Sequence, residues 1–142
     1  MIRELKTLLL LSVMLSSFSP LAMAEGYSVI VHPSNSAEFD KGTVERIFLS
    51  KEKTFTNGQP AVPIEIQQPS THRDYFQETI IRKTDSQVRS YWAMLMFSGK
   101  GTPPKEVASE AEVLELISKN PNTLGYIPSD MVTANVKVVL SF

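Results

Sequence analysis

Apolar positions in this chain alternate in some stretches and recur at helical spacing in others. Tyr27 to Val31 is a β-branched and aromatic run that stops at His32-Pro33, which predicts a strand. Val44, Ile47 and Phe48 recur at i, i+3, i+4 behind Asp40, a good N-cap, and predict a helix over Gly42 to Ser50. Asn57-Gly58 marks a turn. Val62, Ile64 and Ile66 alternate within a second strand, Ala61 to Gln67. Pro63 has no N–H to give a ladder, which favours an edge or a strand start. Ser70 caps a helix from Thr71 to about Arg82. Thr84 or Asp85 caps the next, whose stripe of Val88, Tyr91, Trp92, Leu95 and Met96 ends at Ser98-Gly99. A Gly- and Pro-rich loop, Gly99 to Pro104, follows. Ser109 with Glu112 reads as a capping box for a helix to Lys119. Thr123 to Ile127 and Val136 to Leu140 are the last strands.

Strands alternating with helices predict an α/β fold with a small, mostly parallel sheet flanked by helices. Four strands make a small sheet if both faces are covered, so one edge or face calls for a partner.

The first residues follow a different pattern. Arg3 and Lys6 precede an apolar run from Leu8 to Leu15, and Ala22-Met23-Ala24 places small residues two apart. That is the layout of a cleaved signal peptide, residues 1–24, with Glu25 opening the mature chain and export to the periplasm. The competing reading is a membrane anchor. A span needs about 20 apolar residues, and Ser12, Ser16, Ser17, Ser19 and Pro20 interrupt this run. Residues 25–142 then form a single domain, with no membrane insertion after cleavage.

Composition narrows the chemistry. Removing the signal takes Arg3, Lys6 and Glu4 from 14 basic and 15 acidic side chains, leaving 12 and 14, a net charge of -2. Nothing in that balance suggests a nucleic-acid or anionic-membrane surface. The absence of Cys excludes disulfides, thiol catalysis and a lipid-modified N-terminal Cys. With two His and no carboxylate cluster in the sequence, neither a metal nor a cofactor is expected. No nucleophile elbow or zinc-protease motif is present, so the expectation is a protein without catalytic activity.

Two stretches offer polar groups to a ligand. Ser70-Thr71-His72-Arg73 opens a helix, where unpaired N–H groups and the helix dipole favour an anion. Plain capping accounts for Ser70 equally well. Asn35-Ser36 follows the first strand, where strand ends of open α/β sheets meet ligands, or makes an ordinary turn. Gly99-Lys100-Gly101-Thr102 lacks phosphate-loop spacing and follows a helix, so it reads as a helix stop.

Four landmarks carry a resemblance. Ile47-Phe48-Leu49-Ser50-Lys51 is similar to an Ile-Phe-x-Gly-Lys helix end, and Phe55-Thr56-Asn57-Gly58 to the loop that follows it. Within Pro69-Ser70-Thr71-His72-Arg73, Ser70 matches the first residue of a Ser-Gly-Thr triplet. Tyr91-Trp92 through Gly99-Lys100-Gly101-Thr102-Pro103-Pro104 is the third landmark, and Leu124-Gly125-Tyr126-Ile127 the fourth, resembling a late Gly-Tyr-Val. In this order they resemble the second lobe of the phosphate-binding proteins of ABC importers, periplasmic binding proteins of type 2. The resemblance covers residues 27 to 140 and implies a single-lobe solute-binding module that takes up phosphate or another small oxyanion for transport. It implies ligand contacts from Ser70, Thr71, His72 and Arg73. Thr71 stands where the family has Gly, and His72 where it has Thr. The Arg that the family carries before the triplet is missing; Arg73 lies just after it. Loss of the other lobe leaves an alternative: an interaction or sensor module for an envelope protein or a homodimer.

Overall fold

The computed structural model describes residues 26–142, so the signal-peptide reading lies outside the described residues. The chain runs β1 (Tyr27–Val31), α1 (Lys41–Phe48), β2 (Val62–Ile66), α2 (Thr71–Phe76), α3 (Asp85–Ser98), β3 (Lys105–Val107), α4 (Glu110–Lys119), β4 (Thr123–Pro128) and β5 (Lys137–Ser141). A π-helical stretch, Gln77–Ile81, prolongs α2, and Arg82 ends it in left-handed backbone with φ 55°. The caps expected of Asp40, Ser70 and Thr84 form: each side chain accepts the N–H three residues on. At α4 Ser109 accepts from Glu112 N, but Glu112 Oε2 takes the N–H of Ala108, one residue before the cap, so the box is displaced.

The five strands lie in the order β3-β2-β4-β1-β5. β2 is parallel to β3 and β4, and β1 is antiparallel to β4 and β5. Four strands therefore point one way and β1 alone points back. Sequence periodicity missed β3, three residues that carry too little pattern to read. Pro63 sits at the start of β2 opposite Leu124, and the pairing with β3 begins only at Ile64. Its missing N–H thus costs the ladder nothing.

Strand alternation sorts the core into two layers. Val29, Val31, Leu124 and Tyr126 face α1, α2 and α3, where they meet Phe48, Phe76, Ile80 and Trp92. Ile30, Ile64, Ile66 and Ile127 face α4, against Val113 and Ile117. Gly125 lets α4 come close: a Cβ there would meet Ile117 and Val113 at 2.9 Å. The α3 stripe is narrower than its periodicity predicts. Val88 and Trp92 are buried and Tyr91 and Leu95 partly so, but Met96 is 60 % exposed. Ser50, where the family-like motif has Gly, carries φ 58°. That left-handed conformation explains a glycine preference at the end of α1.

Candidate functional site

The reversed direction of β1 decides how the candidate residues are grouped. Val31 pairs with Leu124 near the start of β4, and Val62 pairs with Thr123. Asn35 and Ser36, which follow β1, therefore lie level with the beginnings of β2 and β4. Ser70 to Arg73 follow the end of β2, across the length of the sheet. The six residues therefore form two groups at opposite ends of the sheet.

At the far end from α2, Asn35 is buried and serves its own turn. Its Oδ1 accepts from Ala37 N at 2.8 Å, and its carbonyl accepts from Lys137 Nζ at 3.0 Å. Its Nδ2 is buried without a partner among the described residues. Ser36 is exposed.

At the start of α2, Ser70 Oγ accepts from Arg73 N at 3.1 Å, and Ser70 O accepts from Asp74 N at 3.0 Å. A helix leaves its first four N–H groups without intrahelical partners. Two are satisfied here: the Ser70 N–H donates to Gln68 Oε1 at 2.8 Å, and the Arg73 N–H to Ser70 Oγ. The N–H groups of Thr71 and His72 have no protein acceptor among the described residues, and Thr71 is exposed. The side chain of His72 is engaged: Nδ1 lies 2.5 Å from Glu110 Oε1, at the start of α4. Its ring meets Tyr27 edge-on at 5.4 Å, beside the stacked Tyr75 and Phe142.

Arg73 points inward. Its Nη1 donates to Ile66 O and to Glu106 Oε1, both at 3.0 Å, and Nη2 lies 3.4 Å from Glu65 Oε2. Glu65 also accepts from the Tyr126 hydroxyl at 3.2 Å. Burial pushes the Glu65 carboxyl up to about 7, against the pull of Arg73 and the Tyr126 hydrogen bond. Burial works against the Arg73 charge, but the two glutamates outweigh it and hold its pKa above the ordinary value. Burial, then the charge of Glu65, pushes the Tyr126 phenol up. The guanidinium that the sequence offers to an anion is thus bound by two carboxylates inside the protein.

Sequence reasoning passed over Glu65, Glu106 and Glu110. A signal was available for Glu65, a charged residue between Ile64 and Ile66 in a strand with both faces covered. In such a strand a carboxylate needs a buried partner. Glu106 and Glu110 belong to a strand without legible pattern and to a surface helix start, where acidic residues are ordinary.

What this end can do is limited by its charge. Glu65, Glu106, Glu110 and Asp74 surround it, and Asp74 accepts from Gln68 Nε2. Two open N–H groups and the Thr71 hydroxyl can reach an anion, while the cationic groups beside them, His72 and Arg73, are already engaged by glutamates. Among the described residues no group of three or more His, Asp or Glu is placed to hold a metal. No helix of theirs is long and apolar enough to cross a membrane.

Neither a family model nor a curated protein matches the sequence. Solved structures do match the fold. One is described as a phosphate ABC transporter substrate-binding protein with bound phosphate, from Clostridium perfringens. It has TM-score 0.66 and 20% identity, over 81% of this chain and 44% of that one. An ABC-type phosphate transport receptor from Vibrio cholerae matches with TM-score 0.64 and 19% identity, over 81% of this chain and 45% of that one. PstS from Borrelia burgdorferi matches with TM-score 0.56 and 16% identity, over 74% and 41%. The chain spans less than half the length of each. Its fold is that of a single lobe of the binding proteins found in phosphate ABC transporters.

Proposed function

We propose that this chain is an exported, non-catalytic solute-binding module that contacts phosphate or a similar small oxyanion weakly at the start of α2. The observation that carries this reading is the pair of N–H groups at Thr71 and His72, which have no protein acceptor among the described residues. Helix starts bind anions through such groups. The likeness in fold to transport receptors supports the ligand class, and the motif order in the sequence supports the same lobe. Arg73 and His72 set the strength. Both side chains are held by glutamates, and Thr71 is exposed, so water competes for every contact. We expect a dissociation constant on the order of millimolar, about -4 kcal/mol. Ser70→Ala should weaken it further and lower stability by ~1 kcal/mol through loss of the cap. Calorimetric titration with phosphate and sulfate tests the reading. Micromolar binding by the monomer would refute its weakness, and silence at high anion concentration would refute the site.

The sealing of Arg73 by Glu65 and Glu106 favours a second reading. In it the lobe has given up ligand capture and serves as an interaction or sensor module in the envelope, with a protein partner or a second copy. Anion binding that is absent, together with a partner recovered by crosslinking, would select this reading over the first.

A further inference from the structure

Helix α3 is held to the body by few side chains, since only Val88 and Trp92 along it are buried. Its last turns leave Met94 64%, Met96 60% and Phe97 97% exposed. Single exposed apolar residues are ordinary, but three within four positions make a patch. A hollow of about 680 Å³ adjoins it, lined by Met96, Val62, Pro63 and Pro104 together with Lys53 and Lys105. Ser50 and Gly101 also line the hollow, and their chain neighbours Lys51 and Lys100 are exposed. None of these four lysines pairs with a carboxylate among the described residues. The acid of this rim, Glu52, is already held by Arg46 at 2.6 Å.

We propose that this end of the molecule docks on an anionic lipid surface. Phe97, Met94 and Met96 enter the boundary between headgroups and acyl chains, and Lys51, Lys53, Lys100 and Lys105 rest on the phosphates. Three observations favour lipid over protein. Protein interfaces are depleted in lysine and enriched in arginine, and this rim has four lysines, its one arginine being tied to Glu52. Lysine ammonium groups are hydrated point charges, suited to a diffuse anionic surface rather than to bidentate pairing. Phe97 projects almost fully into solvent instead of lying in a pocket. The acidic helix α4 lies on the opposite face of the sheet, so the surplus of negative charge is turned away. The net charge of the chain averages over this asymmetry and conceals it.

The test uses residues 26–142, which contain the whole sheet and both core layers and exclude the apolar run Leu8 to Leu15. Co-sedimentation is measured with vesicles of equal parts phosphatidylcholine and phosphatidylglycerol, and with phosphatidylcholine alone. We expect binding to the anionic vesicles only, and its loss at high salt. Lys51→Ala and Lys100→Ala should each weaken it about fivefold, the equivalent of ~1 kcal/mol per lysine near the surface. Phe97→Ser should weaken it by about tenfold or more with an unchanged melting temperature, because the ring is exposed. No co-sedimentation with anionic vesicles overturns the proposal, as does binding that survives the Phe97 and lysine substitutions. Light scattering that shows a dimer abolished by Phe97→Ser also overturns it, by assigning the patch to a second copy.

Discussion

The two ends of the sheet handle charge in opposite ways. At the α2 end, the cationic side chain that sequence offered to a ligand is turned into the protein, where Arg73 meets Glu65 and Glu106. At the α3 end, four lysines stand in solvent around apolar side chains that nothing covers among the described residues. One end has spent its charge on holding β2, α2 and β3 together. The other has kept its charge for the outside. A residue type at a promising position is therefore a poor guide to function until its partners are known. Arg73 adjoins a helix start and is structural, while Lys100 sits in an unpromising loop and is free.

The largest effects should come from the interior of the α2 end. Arg73→Ala leaves the buried Glu65 carboxylate without its partner, and should cost roughly 3–5 kcal/mol above neutral pH. The loss should shrink in acid, where Glu65 is neutral, and chemical denaturation at two pH values would show it. An equal loss at both would mean that Glu65 is not the stranded charge. Trp92→Ala removes the main anchor of α3 and should also cost about 3–5 kcal/mol. If thermal melting barely changes, α3 is held by something other than its buried stripe.

A smaller effect concerns protons. The folded pKa of Glu65 lies near 7, above its ordinary value of 4.5. The folded state thus binds the proton more tightly than the unfolded state. The stability this contributes is fully present below about 4.5 and is lost as pH rises through 7. Glu65→Gln should remove that slope, so the stability of wild type relative to the variant should fall between these pH values. A difference that rises with pH would reverse the assignment. Smaller still, Ser50→Gly should relieve the left-handed backbone at φ 58° and raise stability by about 1 kcal/mol. Unchanged melting would show that packing against Gly101 matters as much as backbone conformation.

Much of the fold could be read from the sequence, because its signals are local. Asp40, Ser70 and Thr84 cap the helices expected of them, and Val62, Ile64 and Ile66 alternate as a strand should. The buried position of Trp92 followed from helical spacing alone. The direction of β1 was not legible, since period-two alternation is the same whichever way a strand runs. That one unknown separated Asn35 and Ser36 from Ser70. Nor could spacing show where Arg73 points. Glu106 is 33 residues away and meets it only through the pairing of β2 with β3, and Glu65, though near in sequence, meets it only because α2 folds back on β2. The exposed end of α3 was hidden for a related reason. Met96 fits the stripe, but the helix extends past the body that would have covered it.

The start of α2 is proposed to contact an oxyanion weakly. The most direct measurement is an NMR titration of residues 26–142 with phosphate, following the backbone amides. Perturbations centred on Thr71 and His72, saturating with a dissociation constant on the order of millimolar, weakened by Ser70→Ala and by added salt, are the predicted result. No perturbation there at high phosphate, or saturation in the micromolar range, would contradict it.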